Sequence, residues 1–313
     1  MIIIMGSGAV GGYLGALLHM AKEEVYLIGR GEFITALKER GMIYQTADLE
    51  KKLDIPCADG ILEAQQASLI KNKPISYALI TTKAHHTKQA ALELASIITS
   101  ETTLISIQNG LGTEKIIRKI FPNNVVLRGI TSIGVSKTVN GYVKLLGRGE
   151  TLVGYNSPKE QLLAKQFVNL LSSKICPVRI ESNILGAVFS KVIVNCSLNP
   201  LTAIYRVRNA AIVEQSEIRK QAIQIAREAW AVAKAKNITL TVKNPIKYML
   251  TVSKATGNNR NSMLLDVLSK RKTEIDFLNG KIIQLADEEG ISVPKNKEIY
   301  QKVLSLEQKY LDS

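Results

Sequence analysis

The chain has 313 residues, 46% of them hydrophobic and 22% charged, and carries a formal net charge of +14. This balance is that of an ordinary globular chain long enough for two domains. Three widely spaced cysteines (Cys57, Cys176 and Cys196) argue against a disulfide framework and a metal cluster, and for a reducing, cytoplasmic setting.

The apolar start has no basic segment before it, so no signal peptide is expected. Charge interrupts the apolar runs, Lys191 breaking the best of them, so no membrane span is expected. The basic excess shows no long basic run and no interleaved aromatics. It reads as a solvated surface that attracts small anions, with nucleic-acid binding the weaker alternative.

Residues 2–5 (IIIM) predict a short buried strand. The turn GSGAVG follows at 6–11, then a helical stretch from Tyr13 to Met20 and a second strand over Val25–Ile28. Strand, glycine turn, helix and strand within about thirty residues is the context of a dinucleotide-binding fingerprint. Gly6 permits the tight turn, Gly8 admits a pyrophosphate to the backbone, and Gly11 lets the helix approach the strand. Ser7, Ala9 and Val10 complete the turn, and Gly12 and Gly15 give further room on the helix. The helix start then offers N–H groups to phosphate.

An acidic residue at the end of the second strand would suit NAD. Here the strand ends in Arg30, which suits the 2′-phosphate of NADP, although Glu32 stands two residues on.

Further strands are expected at Tyr77–Thr81, Thr103–Ile107 and Val125–Leu127, with helices at 84–98 and 113–120. This alternation predicts a doubly wound, mostly parallel sheet. Residues 142–155 read as an antiparallel edge hairpin about Gly147-Arg148-Gly149. Beyond Ile180 helical patterns take over, at about 183–199, 210–236, 243–255, 262–270, 272–289 and 295–311. In the fifth of these, Ile275, Leu278, Ile282 and Leu285 form one apolar face, and Gly290 is placed to stop the helix. The expectation is an α/β Rossmann domain over 1–181 and an all-α domain over 182–313. The helices of the second half suit either a homodimer or a monomer.

Two constellations bear chemistry. Lys191, Asn195 and Asn199 recur every four residues within SKVIVNCSLNPLTAIY, forming one polar stripe on an otherwise apolar helix. The stripe is either a structural seam or a substrate-facing lysine with supporting amides. In NSMLLDVLSKRKTEIDFLNG, Ser262 begins an apolar helical stretch and Glu274 lies near the start of the next. On local pattern alone they are a cap and a dipole-favoured first-turn acid. Of the histidines, His19 lies in the first helix, while His85 and His86 follow a strand and could approach a cofactor.

Together GSGAVGGYLG (6–15), TTKAHHT (81–87), QNGLGT (108–113), KVIVNCSLNPLTA (191–203), SMLLD (262–266) and RKTEIDFLNG (271–280) give the chain a likeness to one family. It resembles the ketopantoate reductases, or 2-dehydropantoate 2-reductases, nearly end to end. The resemblance implies NADPH-dependent reduction of a small anionic 2-keto acid, 2-dehydropantoate, to pantoate on the way to coenzyme A, in a cleft between a Rossmann and a helical domain. It implies that Lys191 gives the proton and that Asn195, Asn199, Ser262 and Asn209 hold the substrate. Glu274 then lies between cofactor and substrate, Asn109 touches both, Lys83 lies beside the cofactor and Arg30 meets the 2′-phosphate. Asn261, where the family commonly has a small hydroxyl, and the basic loop with Arg206 and Arg208 are departures. A related branched 2-keto acid reductase is the alternative; a non-catalytic NADPH-binding regulator is a further one.

Overall fold

The structure, a computed structural model, describes residues 1–147, 149–171 and 177–311. The chain divides into two compact units. One comprises Met1–Gln108 with Gly112–Ile184, the other Asn109–Leu111 with Leu185–Ser313.

In the first unit an eight-stranded sheet is built from β1 (Ile2–Met5), β2 (Val25–Gly29), β5 (Cys57–Asp59), β6 (Tyr77–Ile80), β7 (Thr103–Ile107), β8 (Val126–Thr131), β11 (Thr151–Gly154) and β12 (Val178–Glu181). Their order is β12-β11-β8-β7-β6-β1-β2-β5. The pairs from β5 through β8 are parallel; β11 runs antiparallel to β8 and parallel to β12. The run IIIM shows why this sheet needs cover on both sides. Ile2 and Ile4 enter one apolar cluster with Leu14 and Leu27, while Ile3 and Met5 enter another with Ile28 and Ala78. A strand buried on both faces is the mark of a doubly wound sheet. Because β1 lies between β2 and β6, chain connections leave it in both directions, and the crevice at such a switch point is where open α/β sheets bind ligands.

The helices of this unit are α1 (Ala9–Met20), α2 (Glu32–Arg40), α3 (Ile61–Gln66), α4 (Ser68–Asn72), α5 (Thr87–Leu94), α6 (Thr113–Ile120) and α7 (Pro158–Leu171). A second sheet, absent from the sequence expectation, joins β4 (Glu50–Leu53), β3 (Met42–Gln45), β10 (Tyr142–Gly147) and β9 (Gly134–Lys137) in that order. It packs on α1, whose residues from Gly11 to Leu18 are all buried. Gly12 is where the two meet: a Cβ there would stand 2.9 Å from Val143 Cγ2.

The expected edge hairpin is corrected. Residues 142–147 pair with β3 and β9, whereas 151–154 pair with β8 and β12, so the two strands belong to different sheets. Each strand's apolar face already has a sheet to join, and that long-range pairing overrides the local turn signal. Arg148 of the supposed turn, and Cys176, lie outside the described residues.

The second unit is helical: α8 (Ile184–Tyr205, its first residue in the other unit), α9 (Ala211–Glu214), α10 (Ser216–Ala235), α11 (Pro245–Ala255), α12 (Ser262–Leu268), α13 (Asn279–Glu288) and α14 (Pro294–Leu311). The expected helix over 210–236 breaks at Gln215, and that over 272–289 breaks at Leu278 after a 3₁₀ turn at Ile275–Phe277. Gly290 follows α13 at φ 67°, the left-handed stop that glycine permits.

Helix α8 runs through Pro200, six residues beyond the expected end. Proline removes the N–H that would bond the carbonyl of Cys196. That carbonyl accepts instead from Asn279 Nδ2 at 3.1 Å, so the helix continues without an orphaned acceptor. By length and apolarity α8 is long enough to cross a membrane, contrary to the sequence expectation. Of its most apolar window 83% is buried within the protein, as in a core helix.

Candidate functional site

The first unit carries the glycine turn. Gly6 has φ 117°, and a Cβ there would lie 2.7 Å from the Thr82 nitrogen. Gly11 is tighter: its Cβ would meet the Gly6 carbonyl oxygen at 1.9 Å and Thr81 Oγ1 at 2.5 Å. Thr81 Oγ1 donates to that carbonyl at 2.8 Å, tying the end of β6 to the turn. Ser7 is buried, and the space its hydroxyl occupies is available only because β2 has Gly29 beside it. Gly8 caps α1 with extended backbone, and Ala9 and Val10 open the helix. No side chain caps this end and no acidic residue stands in its first turn. A Cβ on Gly8 would approach nothing closer than the Thr81 carbonyl oxygen at 4.0 Å. The turn therefore presents backbone to an open side at the positive end of a helix, and this fits a dinucleotide pyrophosphate.

Gly11→Ala should raise the dissociation constant for NADPH by at least about tenfold, because its methyl cannot fit without moving the Gly6 peptide. Titration of NADPH fluorescence checks this, with circular dichroism to confirm folding. Unchanged affinity in a folded variant would dismiss the turn as the pyrophosphate site.

Arg30 follows β2 and is well exposed, its Nη2 2.6 Å from Glu93 Oε1. Glu32 is exposed at the start of α2. Lys83 precedes the 3₁₀ turn Ala84–His86, in which the rings of His85 and His86 pack on each other at 4.3 Å. His19 sits in the last turn of α1, at the opposite end from the glycines.

Behind these loops is a buried network that the sequence did not reveal. Gln108 Nε2 donates to the carbonyl of Thr82 at 2.9 Å and to Thr87 Oγ1 at 2.9 Å. Ser106 Oγ donates to Gln108 Oε1 at 3.0 Å. The buried Arg128 donates to the carbonyls of Ser106 at 3.2 Å and Gln108 at 2.8 Å. Arg128 thus holds the end of β7, and Gln108 ties it to Thr82 beyond β6, so the network fixes the carboxyl ends of β6 and β7 relative to one another, where a sheet of this class positions its ligand loops.

The second unit carries a different constellation. Lys191 Nζ donates to Asn109 Oδ1 at 3.0 Å, and Asn109 Nδ2 donates to Glu274 Oε2 at 3.2 Å. Ammonium only donates and carboxylate only accepts, so this is the orientation of the amide that serves both. Asn109 itself is seated by its neighbours: Leu111 N donates to the Phe277 carbonyl at 3.0 Å. Glu274 is buried, stands immediately before the 3₁₀ turn Ile275–Phe277 and makes no capping bond to it. Asn195 and Asn199 follow Lys191 along α8, the first half-buried and the second buried.

Ser262 is the first residue of α12 and is exposed. It does not cap the helix. Asn261 does, its Oδ1 accepting from Leu264 N at 3.2 Å, which leaves the serine hydroxyl uncommitted to that bond. Asn261 Nδ2 also donates to Thr202 Oγ1 at 2.5 Å, anchoring the start of α12 to α8. Asn209 lies in the same cluster, apart from the Lys191 chain of bonds. Its Oδ1 accepts from Asn261 at 3.0 Å, its Nδ2 donates to Thr256 Oγ1 at 2.9 Å, and its carbonyl accepts from Ser253 Oγ at 2.6 Å. Its amide is thus engaged in holding α9, α11 and α12 together.

Among the described residues no three His, Cys, Asp or Glu side chains gather to hold a metal ion. Burial pushes the Cys57 thiol up to about 11 and the Cys196 thiol up to about 12, so neither is an activated nucleophile.

Residues 2–158 match the family described as "Ketopantoate reductase PanE/ApbA", and residues 183–307 match "Ketopantoate reductase PanE/ApbA C terminal". The chain belongs to the ketopantoate reductase family. This is a family of oxidoreductases, and the similarity to its members is end to end. The 2-dehydropantoate 2-reductase of Pyrococcus horikoshii is 31% identical over 94% of this chain and 93% of that protein. That of Vibrio cholerae is 31% identical over 99% of this chain and 98% of that protein. Among solved structures, a PanE/ApbA family ketopantoate reductase from Ralstonia eutropha superposes with a TM-score of 0.89 at 25% identity, covering 99% of both chains. D-mandelate dehydrogenase with NADH and anilino(oxo)acetate gives 0.90 at 26% identity, again covering 99% of both.

Proposed function

We propose that this chain is a cytoplasmic 2-dehydropantoate 2-reductase that reduces ketopantoate to pantoate with NADPH, in the pathway to pantothenate and coenzyme A. The observation that carries the reading is the Lys191–Asn109–Glu274 chain of hydrogen bonds, in a member of this family. When bound, NADPH supplies a hydride to the carbonyl carbon. Lys191 supplies the other half of the reduction. Its ammonium polarises the ketone oxygen, offsets the negative charge that develops there, and donates the proton that completes the hydroxyl. Asn109 holds the ammonium in one direction, and Glu274 fixes the Asn109 amide. Asn195, Asn199 and Ser262 offer neutral donors to the substrate's carboxylate and hydroxyl, orienting an anion without adding charge beside the lysine. Gly6, Ser7, Gly8, Ala9, Val10 and Gly11 receive the pyrophosphate, and Lys83 lies beside the cofactor. Arg30 has five N–H donors, so the bond to Glu93 is compatible with a second anion such as the 2′-phosphate.

A second reading is supported by the D-mandelate dehydrogenase likeness: reduction of another 2-keto acid, with NADH accepted. The test follows NADPH absorbance with ketopantoate, alongside 2-ketoisovalerate, phenylglyoxylate and NADH controls. We expect ketopantoate with NADPH to give the highest kcat/KM. A preference for another keto acid overturns the substrate and leaves the chemistry; NADPH binding without turnover of any of them overturns the enzyme reading.

A further inference from the structure

The end of β9 delivers a cation to the glycine turn. Lys137 Nζ donates to the carbonyl of Ser7 at 3.0 Å, inside the GSGAVG sequence, and stands 4.5 Å over the centre of the Phe33 ring. Lys137 is an exposed residue, while Ser7 and Phe33 are buried, so the ammonium is held at the solvent edge of the turn.

This placement is electrostatically odd for a protein considered alone. The start of α1 bears the positive end of the helix macrodipole, and its first turn contains no acidic residue. A cation beside a helix N-terminus is normally disfavoured, and acidic residues or anions are favoured there. The Ser7 carbonyl and the Phe33 ring offset part of that repulsion. What the combination of helix end, bare glycine backbone and fixed ammonium suits is a ligand of concentrated negative charge.

Resting on the dinucleotide reading of the turn, we propose that Lys137 is a phosphate-binding residue of the cofactor site, contributed by the second sheet. Its ligand is a phosphate of the dinucleotide, either the pyrophosphate or the 2′-phosphate. Ser7 lies against Gly29, immediately before Arg30, so the ammonium also stands near the end of β2 where a 2′-phosphate is expected. Where the ligand is the 2′-phosphate, Lys137 shares with Arg30 the task of choosing the cofactor. It also gives the second sheet a role beyond packing on α1.

The experiment measures the affinity of the full-length protein for NADPH and NADH by fluorescence titration, in wild type, Lys137→Met and Lys137→Glu. Methionine keeps an unbranched apolar stem over Phe33 and removes the charge. We expect Lys137→Met to weaken binding about tenfold and Lys137→Glu to weaken it further, the wild-type affinity falling as salt is raised. A loss confined to NADPH assigns the ammonium to the 2′-phosphate, and an equal loss for both assigns it to the pyrophosphate. Unchanged affinities in both variants overturn the proposal while wild-type NADPH binding leaves the dinucleotide reading intact. Failure of the wild type to bind either nucleotide overturns that reading itself. Thermal melts exclude a folding defect, which is not expected for an exposed strand-end residue.

Discussion

Lys191→Ala should lower kcat for ketopantoate reduction by about two to four orders of magnitude, the usual contribution of a positioned general acid. NADPH affinity should change little, since the glycine turn is left intact. The geometry says why one truncation has so large an effect. Lys191 Nζ is 3.0 Å from Asn109 Oδ1, and Asn109 in turn reaches Glu274, so the three side chains act as one unit. Units of this kind are non-additive. Asn109→Ala should therefore cost much of the same activity, and the double variant should be little worse than Lys191→Ala alone. Steady-state kinetics on the three proteins close the cycle. Fully additive losses would mean that Asn109 acts on its own and that its bond to the lysine is incidental. Retention of wild-type kcat in Lys191→Ala would remove the proton-donor role altogether.

The polar stripe that carries Lys191 is legible in the sequence because helical spacing is a local property, whereas spacing leaves its role open. Lys191, Asn195 and Asn199 fall on one stripe whatever the rest of the chain does, and α8 confirms a helix over all three. Their relation to Asn109 and Glu274 was not legible from spacing, since those two residues are 165 positions apart and meet only through tertiary structure. Family likeness, rather than periodicity, pointed to them.

Ser262 shows a finer ambiguity. Asparagine and serine are comparably good helix caps, so NS before an apolar run does not say which one caps. Asn261 takes the position because its amide can also reach Thr202 and Asn209, bonds a serine is too short and too poor in donors to make.

The fold follows the same division. The parallel strands announced themselves as compact apolar runs such as IIIM, YALI and TLISI, each buried along its whole length. The second sheet did not, because a strand such as EKKL buries only its last residue and carries no alternation to read. Pro200, directly after the helix expected over 183–199, marks an end that α8 passes. The rule that proline ends a helix assumes that no other group will serve the freed carbonyl, and Asn279 supplies one from α13. Arg128 reads as an ordinary charge in VLRGIT until its carbonyl partners are in place. What sequence withholds is chiefly where polar groups find distant partners, and those partners hold the loops of the site in place.

Gly110→Ala carries the second large expectation, because a single methyl group displaces Asn109. Gly110 has φ 83°, and a Cβ on it would lie 2.6 Å from both Cβ and the carbonyl oxygen of Phe277. Left-handed backbone costs an alanine about 1–2 kcal/mol. The overlap must then be relieved by moving 109–111 away from the 3₁₀ turn, which breaks the bond from Leu111 N to the Phe277 carbonyl. Losing such a bond removes a further 0.5–1.5 kcal/mol, roughly, from the folded state. Stability should thus fall by about 2–3 kcal/mol, visible as a lower Tm in a protein that still folds. The effect on turnover should be larger in proportion, since a shift of about 1 Å in a positioning group can cost on the order of a hundredfold. Lys191 remains in place but loses its Asn109 partner, so kcat should drop while NADPH binding, which the proposed function assigns to the turn at Gly6–Gly11, stays within about twofold of wild type. Wild-type kcat together with an unchanged Tm would show that 109–111 tolerates the methyl group and that the seating of Asn109 does not govern the reaction. A lowered Tm with wild-type kcat would confine Gly110 to a structural role.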